Sequence, residues 1–211
     1  MGATVFPPAA SGPTLSEITT AGTSAGWGAT GGAWTLLDRK TAVSPTGITY
    51  SGLGSYKKYR IVCGGFYISD SSSYWPMITI NGDNSGNKYS GNWQATVAYN
   101  TYGNQGWFDT FDQKNMIPIA PMNFGSAYNW GNRFIVEIDN VAGSSKIIRS
   151  EAWGYHAGYP AQVHGEILGS YNSTSNISSI KLHVTNAWST SETLSFNLNG
   201  TTSFIELWGT N

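Results

Sequence analysis

The chain has 211 residues, a formal net charge of -1 and only 11% Asp, Glu, Lys and Arg, against about 25% in ordinary domains. With 40% hydrophobic and 14% aromatic residues the low charge does not signal disorder, and the near-neutral balance offers no basic surface for nucleic acid. The single cysteine, Cys63, excludes a disulfide framework and a thiolate metal cluster.

Residues 1–33 are rich in Gly, Ala, Thr and Pro, with isolated apolar anchors at Val5, Phe6, Leu15, Ile18 and Trp27. Only "PTLSEITTA" could form a short helix, with Thr14 as cap and Glu17 three residues on. The segment cannot build its own core, so it reads as an arm, either a disordered tail or an extended peptide lying on a partner. No Lys or Arg precedes Arg39 and no apolar run is sustained, which argues against a secretory signal. No later stretch approaches the ~20 apolar residues of a membrane helix, so no membrane partner is expected.

Strand patterns begin at Trp34. "AWTLLDRK" and "ITYSGL" flank the turn "SPTG", and "YKKYRIVCGGFYIS" alternates Tyr59, Ile61 and Cys63 against Arg60 and Val62. Gly64-Gly65 suggests a bulge or bend, and Cys63 in this apolar pattern reads as a buried, inert thiol. "WPMITI" leads into "NGDNSGNKYSGNW", which admits two readings. Asn81-x-Asp83-x-Ser85-Gly86 has the oxygen spacing that opens a calcium loop, yet its twelfth place is Asn92 and Asp83 is its only carboxylate. The competing reading is a tight hairpin turn in which Asn, Gly and Asp adopt left-handed conformations, and it accounts for every residue.

Residues 100–132 read as a long aromatic loop region. Tyr99, just before it, and Tyr102, Trp107, Phe108, Tyr128 and Trp130 within it form a candidate aromatic surface, against the alternative of simple loop packing. Trp34 and Trp208 read as core. "RFIVEIDNV", "KIIRSEAW", "AQVHGEIL", "SSIKLHVTN", "ETLSFNL" and "TSFIELWG" complete the series, and Ile180, Leu182 and Val184 oppose Lys181, His183 and Thr185. About ten short strands without a long helix predict an all-β antiparallel β-sandwich or jelly roll, residues 34–211, preceded by the arm at 1–33.

Enzymatic signatures fail: the chain holds no G-x-S-x-G elbow, P-loop or H-E-x-x-H. His164-Gly165-Glu166 matches the H-x-E half of a zinc deaminase, but one cysteine cannot supply P-C-x-x-C. The two side chains share one strand face and read as solvated neighbours. Glu137, Glu151, Glu166 and Glu206 lie in strand patterns, so a glycosidase carboxylate pair could be drawn from distant strands. No residue is marked as catalytic, metal-binding or cofactor-binding, and no cofactor is expected.

One resemblance emerges from the order of these elements. "GGAWTLLDRKTAVSPTGITYSGLGSYKKYRIVCGGFYIS", "MITINGDNSGNKYSGNW" and "TSFIELWGTN" resemble, in order, elements of a group of tailed-bacteriophage virion proteins. The resemblance spans most of residues 32–211 through short, degenerate motifs. It implies a jelly-roll domain on the outside of the virion, made in the host cytoplasm, usually trimeric, and acting as capsid decoration (cement) or tail-fibre tip. No catalytic residues carry over. A short arm feeding directly into one domain favours decoration, with the arm binding the major capsid protein or another virion protein. A receptor-binding tip recognising host surface polysaccharide is the second reading, and a glycoside hydrolase or lectin the third.

Overall fold

The computed structural model describes residues 33–41, 47–54, 56–68, 74–99, 103–119, 132–155, 162–186, 196–198 and 203–211. The five arm anchors, "PTLSEITTA", Tyr102, Tyr128 and Trp130 lie outside them. The body Trp34–Asn211 forms one compact unit, and the protein is all-β with antiparallel sheets. Its strands among the described residues are β1 Thr35–Lys40, β2 Gly47–Ser51, β3 Lys58–Gly64, β4 Phe66–Ile68, β5 Tyr74–Ile80, β6 Tyr89–Tyr99 and β7 Gly103–Lys114. They continue as β8 Ile117–Pro118, β9 Arg133–Asp139, β10 Lys146–Tyr155, β11 Gln162–Tyr171, β12 Ser179–Asn186, β13 Phe196–Leu198 and β14 Phe204–Thr210.

Eight strands form one sheet in the order β1-β14-β3-β9-β10-β11-β6-β7, four form a second in the order β2-β12-β5-β8, and β13-β4 is a small third. The inward residues of the two larger sheets join one core: Tyr59, Ile61, Phe134, Val136, Ile148 and Ile167 from the first, Ile48, Ile78, Ile80 and Leu182 from the second. That is a sandwich-like arrangement, and the period-two alternation produces it. On β10, Lys146, Ile148, Ser150 and Ala152 are buried, whereas Ile147 and Arg149 are exposed and Glu151 and Trp153 half-buried. The buried Lys146 ammonium is kept hydrogen-bonded, donating to the carbonyls of Val141 and Ser144 at 2.6 and 2.9 Å.

The structure corrects four sequence expectations. The region between residues 100 and 132 holds the long strand β7 and the short β8; its Gly, Asn and Asp content hides a strand that pairs with β6 from Gly103 to Phe111 and, past an irregularity, at Lys114. Trp34 and Trp208 are only half-buried and lie outside the core. Trp34 sits beneath the Arg60 guanidinium at 4.2 Å, and Trp208 donates to Glu206. On β12, His183 and Thr185 are buried along with the apolar set, and the His183 ring hydrogen-bonds the Thr79 hydroxyl at 2.7 Å. Gly65, at φ 70°, ends β3 and starts β4 in a different sheet, so the Gly64-Gly65 bend is real and separates two strands.

The fourth correction concerns the hairpin. Asn81 (φ 57°) and Gly82 (φ 67°) do form a tight turn, closed by Asp83 N–H donating to Ile80 O at 3.0 Å. Yet β5 pairs with β12 and β8, while β6 pairs with β11 and β7. The turn therefore carries the chain from one sheet to the other. The Asn81 side-chain oxygen accepts from the Ser178 and Ser179 amides (2.7 and 3.2 Å) and the Ser178 hydroxyl, tying the turn to the start of β12. Asp83 accepts from Ser85 N–H and Oγ through one oxygen and from the Tyr171 hydroxyl through the other. Its oxygens serve the turn, which is why the calcium spacing has a structural explanation.

Desolvation works to raise the Asp83 carboxyl, but the hydrogen bonds from Ser85 and Tyr171 and the nearby Lys88 outweigh it and hold it below the ordinary value. A depressed carboxyl contributes stability that is present above its unfolded value, about 3.9, and lost as pH falls through the folded value. Asp83→Asn is expected to be less stable than the parent at neutral pH, with the gap closing below about pH 4, as read by urea unfolding across pH.

Candidate site on the open face of the large sheet

The outward residues of the eight-stranded sheet fall into cross-strand rows because the registers of β3, β9, β10, β11 and β6 run without a slip. One row reads Arg60, Glu137, Arg149, Leu168, Asn92; the next Val62, Ile135, Glu151, Glu166, Gln94, Phe108; a third Arg133, Trp153, His164, Thr96, Gly106. Two adjoining hollows, of about 740 and 350 Å³, open on this face. The larger is lined by Arg60, Glu137, Arg149, Glu151, Glu166 and Phe108 among others, the smaller by Gln94, Thr96, Gly106, Phe108, His164 and Glu166.

The four strand glutamates divide sharply. Glu137 is held by Arg60 at 2.5 Å and Glu206 by Arg39 at 3.1 Å. Such half-exposed pairs stabilise by about 0–1 kcal/mol, so they orient side chains more than they hold the fold. Glu151 and Glu166 face one another directly across the β10–β11 ladder. Like charges in that position repel. Among the described residues the nitrogen base beside both is His164: Nε2 lies 3.0 Å from Glu151 Oε1, within hydrogen-bond reach, and 4.0 Å from Glu166 Oε1. The other oxygen of Glu166 accepts from Gln94 Nε2 at 2.6 Å. The His164 ring stacks on Trp153 at 5.4 Å, and the Arg133 guanidinium lies over Trp153 at 4.8 Å.

His164 and Glu166 thus share a face as their spacing predicts, but Glu151 is the partner that sequence reading missed. It lies 13 residues from His164, and only the β10–β11 register brings it there. A signal existed in retrospect: two strands in succession, each with one outward glutamate, four residues before Tyr155 and four after Gln162, which pair with one another. Of the candidate aromatic surface, Phe108 stands on this face with 70% exposure. Tyr99 lies in β6 and Trp107 in β7, while their side chains fall outside the described residues. Cys63 is buried and burial pushes its thiol well above the ordinary value, so it takes no part.

Comparison with protein-family models, curated proteins and solved structures gives no match. The site is therefore read from its own chemistry.

With two facing carboxylates, replacing one by its neutral isostere removes repulsion. Glu166→Gln is expected to raise stability by about 0.2–1 kcal/mol in cation-free, chelator-treated buffer, measured by urea unfolding. A loss of stability would mean that Glu166 has a favourable charge partner.

Proposed function

We propose that the chain is a non-enzymatic structural protein of a tailed-bacteriophage virion, a homotrimeric jelly-roll protein that decorates the capsid and braces neighbouring capsid subunits. The observation that carries this reading is the strand order. A jelly roll arranges eight antiparallel strands as two packed four-stranded sheets. Here β1, β14, β3 and β9 lie side by side in one sheet and β2, β12, β5 and β8 in the other. The hairpin β6–β7 and the pair β10–β11 widen the first sheet beyond this frame. Because a fold hosts many functions, the virion role rests on this order together with the resemblance of residues 32–211 to virion surface proteins. The 211-residue chain should sediment at about three times its 22.7 kDa mass. Deleting residues 1–33 should leave that trimer intact and abolish binding to capsids stripped of the protein. A monomer, or undiminished capsid binding by the truncated chain, would sink this reading.

A second reading, receptor binding to a host surface polysaccharide, is favoured by the open face. Phe108 presents an exposed ring beside the amides of Asn92 and Gln94 and the Glu166 carboxylate. An apolar platform ringed by a few polar groups suits a sugar ring. Purified protein should then adsorb to host cells, and Phe108→Ala should weaken adsorption at least tenfold. Absence of adsorption at micromolar concentration would count against this role and leave the decoration reading standing.

A further inference from the structure

We propose that Glu151, His164 and Glu166 form a binding site for a divalent transition-metal ion of the zinc class. Each residue offers one donor atom, and the three atoms lie within 4.8 Å of one another. Donors bound at about 2.1 Å to a single ion sit about 3 to 3.5 Å apart, so small side-chain rotations close the set. Strand pairing has already placed the backbones: Glu151 opposes Glu166 on β10 and β11, and His164 lies two residues before Glu166 on the same face.

Three further observations point to a cation there. First, one imidazole nitrogen stands between two facing carboxylates, 3.0 Å from one and 4.0 Å from the other, and cannot satisfy both. No Lys or Arg among the described residues pairs with either glutamate, although Arg60, Arg39 and Arg149 pair with other carboxylates on the same sheet. Second, the donors are oriented from outside the triad. Trp153 stacks on the His164 ring, and Gln94 binds the far oxygen of Glu166, leaving the near one turned toward the triad. Outer partners of this kind fix ligand orientation in metal sites. Third, the open side has room for more ligands. The 350 Å³ hollow includes His164 and Glu166 in its wall, and at Gly106 nothing lies within 4 Å of where a Cβ would stand.

The donor set selects the ion class. One nitrogen and two carboxylate oxygens suit zinc and its transition-metal neighbours, whereas calcium and magnesium take oxygen ligands throughout. Three protein donors leave a fourth position for water or for an oxygen of a bound molecule. This inference stands apart from the virion reading, since it uses only the outward face of β10, β11 and β6.

The test is equilibrium dialysis of the chelator-stripped full-length protein against Zn²⁺ alone at neutral pH. One equivalent should bind, and His164→Ala, Glu151→Gln and Glu166→Gln should each weaken binding at least tenfold. Glu137→Gln, on the same face but outside the triad, should leave it unchanged. Zn²⁺ should also raise the melting temperature of the parent and not of the three triad variants, whose circular dichroism reports that they remain folded. No bound zinc, equal affinity in the triad variants, or tighter binding of Ca²⁺ than of Zn²⁺ would overturn the assignment.

Discussion

Unslipped antiparallel pairing across β3, β9, β10, β11 and β6 is the constraint on which the rest depends. Along these strands each residue meets one partner, so inward and outward sets stay in phase across the sheet. A slip of one residue would send Glu151 and Glu166 into the core and Ile148 and Ile167 out to solvent. Packing at the edge enforces the same register. A Cβ on Gly91 would meet Leu168 O at 2.5 Å and the Phe111 ring at 2.7 Å, and one on its partner Gly169 would run into the Ile117 side chain. At both positions the missing side chain leaves the space that Phe111 and Ile117 occupy.

The crossing at Asn81-Gly82 is the second organising feature. β5 ends in the four-stranded sheet and β6 begins in the eight-stranded one, so this short link joins the two layers. Buried side chains hold it from both sides. Tyr89 stacks on Tyr171 at 5.0 Å, and its hydroxyl accepts from Ile80 N–H and donates to the carbonyl of Asp83. Asn81 reaches the 176–179 segment, and Asp83 reaches Tyr171. A run of Asn, Asp, Ser and Gly that looks like a ligand loop in one dimension is spent on backbone hydrogen bonds in three.

The open face concentrates what chemistry the described residues hold. Its charged pairs are mostly neutralised in place, as Arg60 with Glu137 and Arg149 with Asp139 show. Glu151 and Glu166 break that pattern: they face one another across the β10–β11 ladder, and among the described residues neither pairs with a Lys or Arg. Proteins retain such local disfavour where a ligand offsets it. The same face carries the exposed Phe108 and the half-exposed Leu168, so an apolar surface and an acidic cleft adjoin.

Much of the fold was legible along the chain. Alternation in "YRIVC" and "RFIVEID" marked β3 and β9, because a half-buried strand writes its two faces in every second residue; "SIKLHV" marked β12 as a strand, although both its faces are buried from Leu182 to Thr185. β7 was not legible, since "GNQGWFDTFDQK" carries its strand character in pairing with β6 and not in any alternation of its own. Nor was the fate of Trp34 and Trp208: a large aromatic at a strand end suits core and open face alike. For the site, His164 and Glu166 could be placed together from their spacing, while Glu151 could not. By itself, then, the sequence determined the strand periods, the tight turn at Asn81-Gly82, the buried Cys63 and the shared face of His164 and Glu166, all of which depend on neighbours within a few residues. Only the tertiary structure decided which strands pair, that the turn crosses between sheets, and that Glu151 completes a triad. Those depend on register between distant segments, which local propensity does not encode.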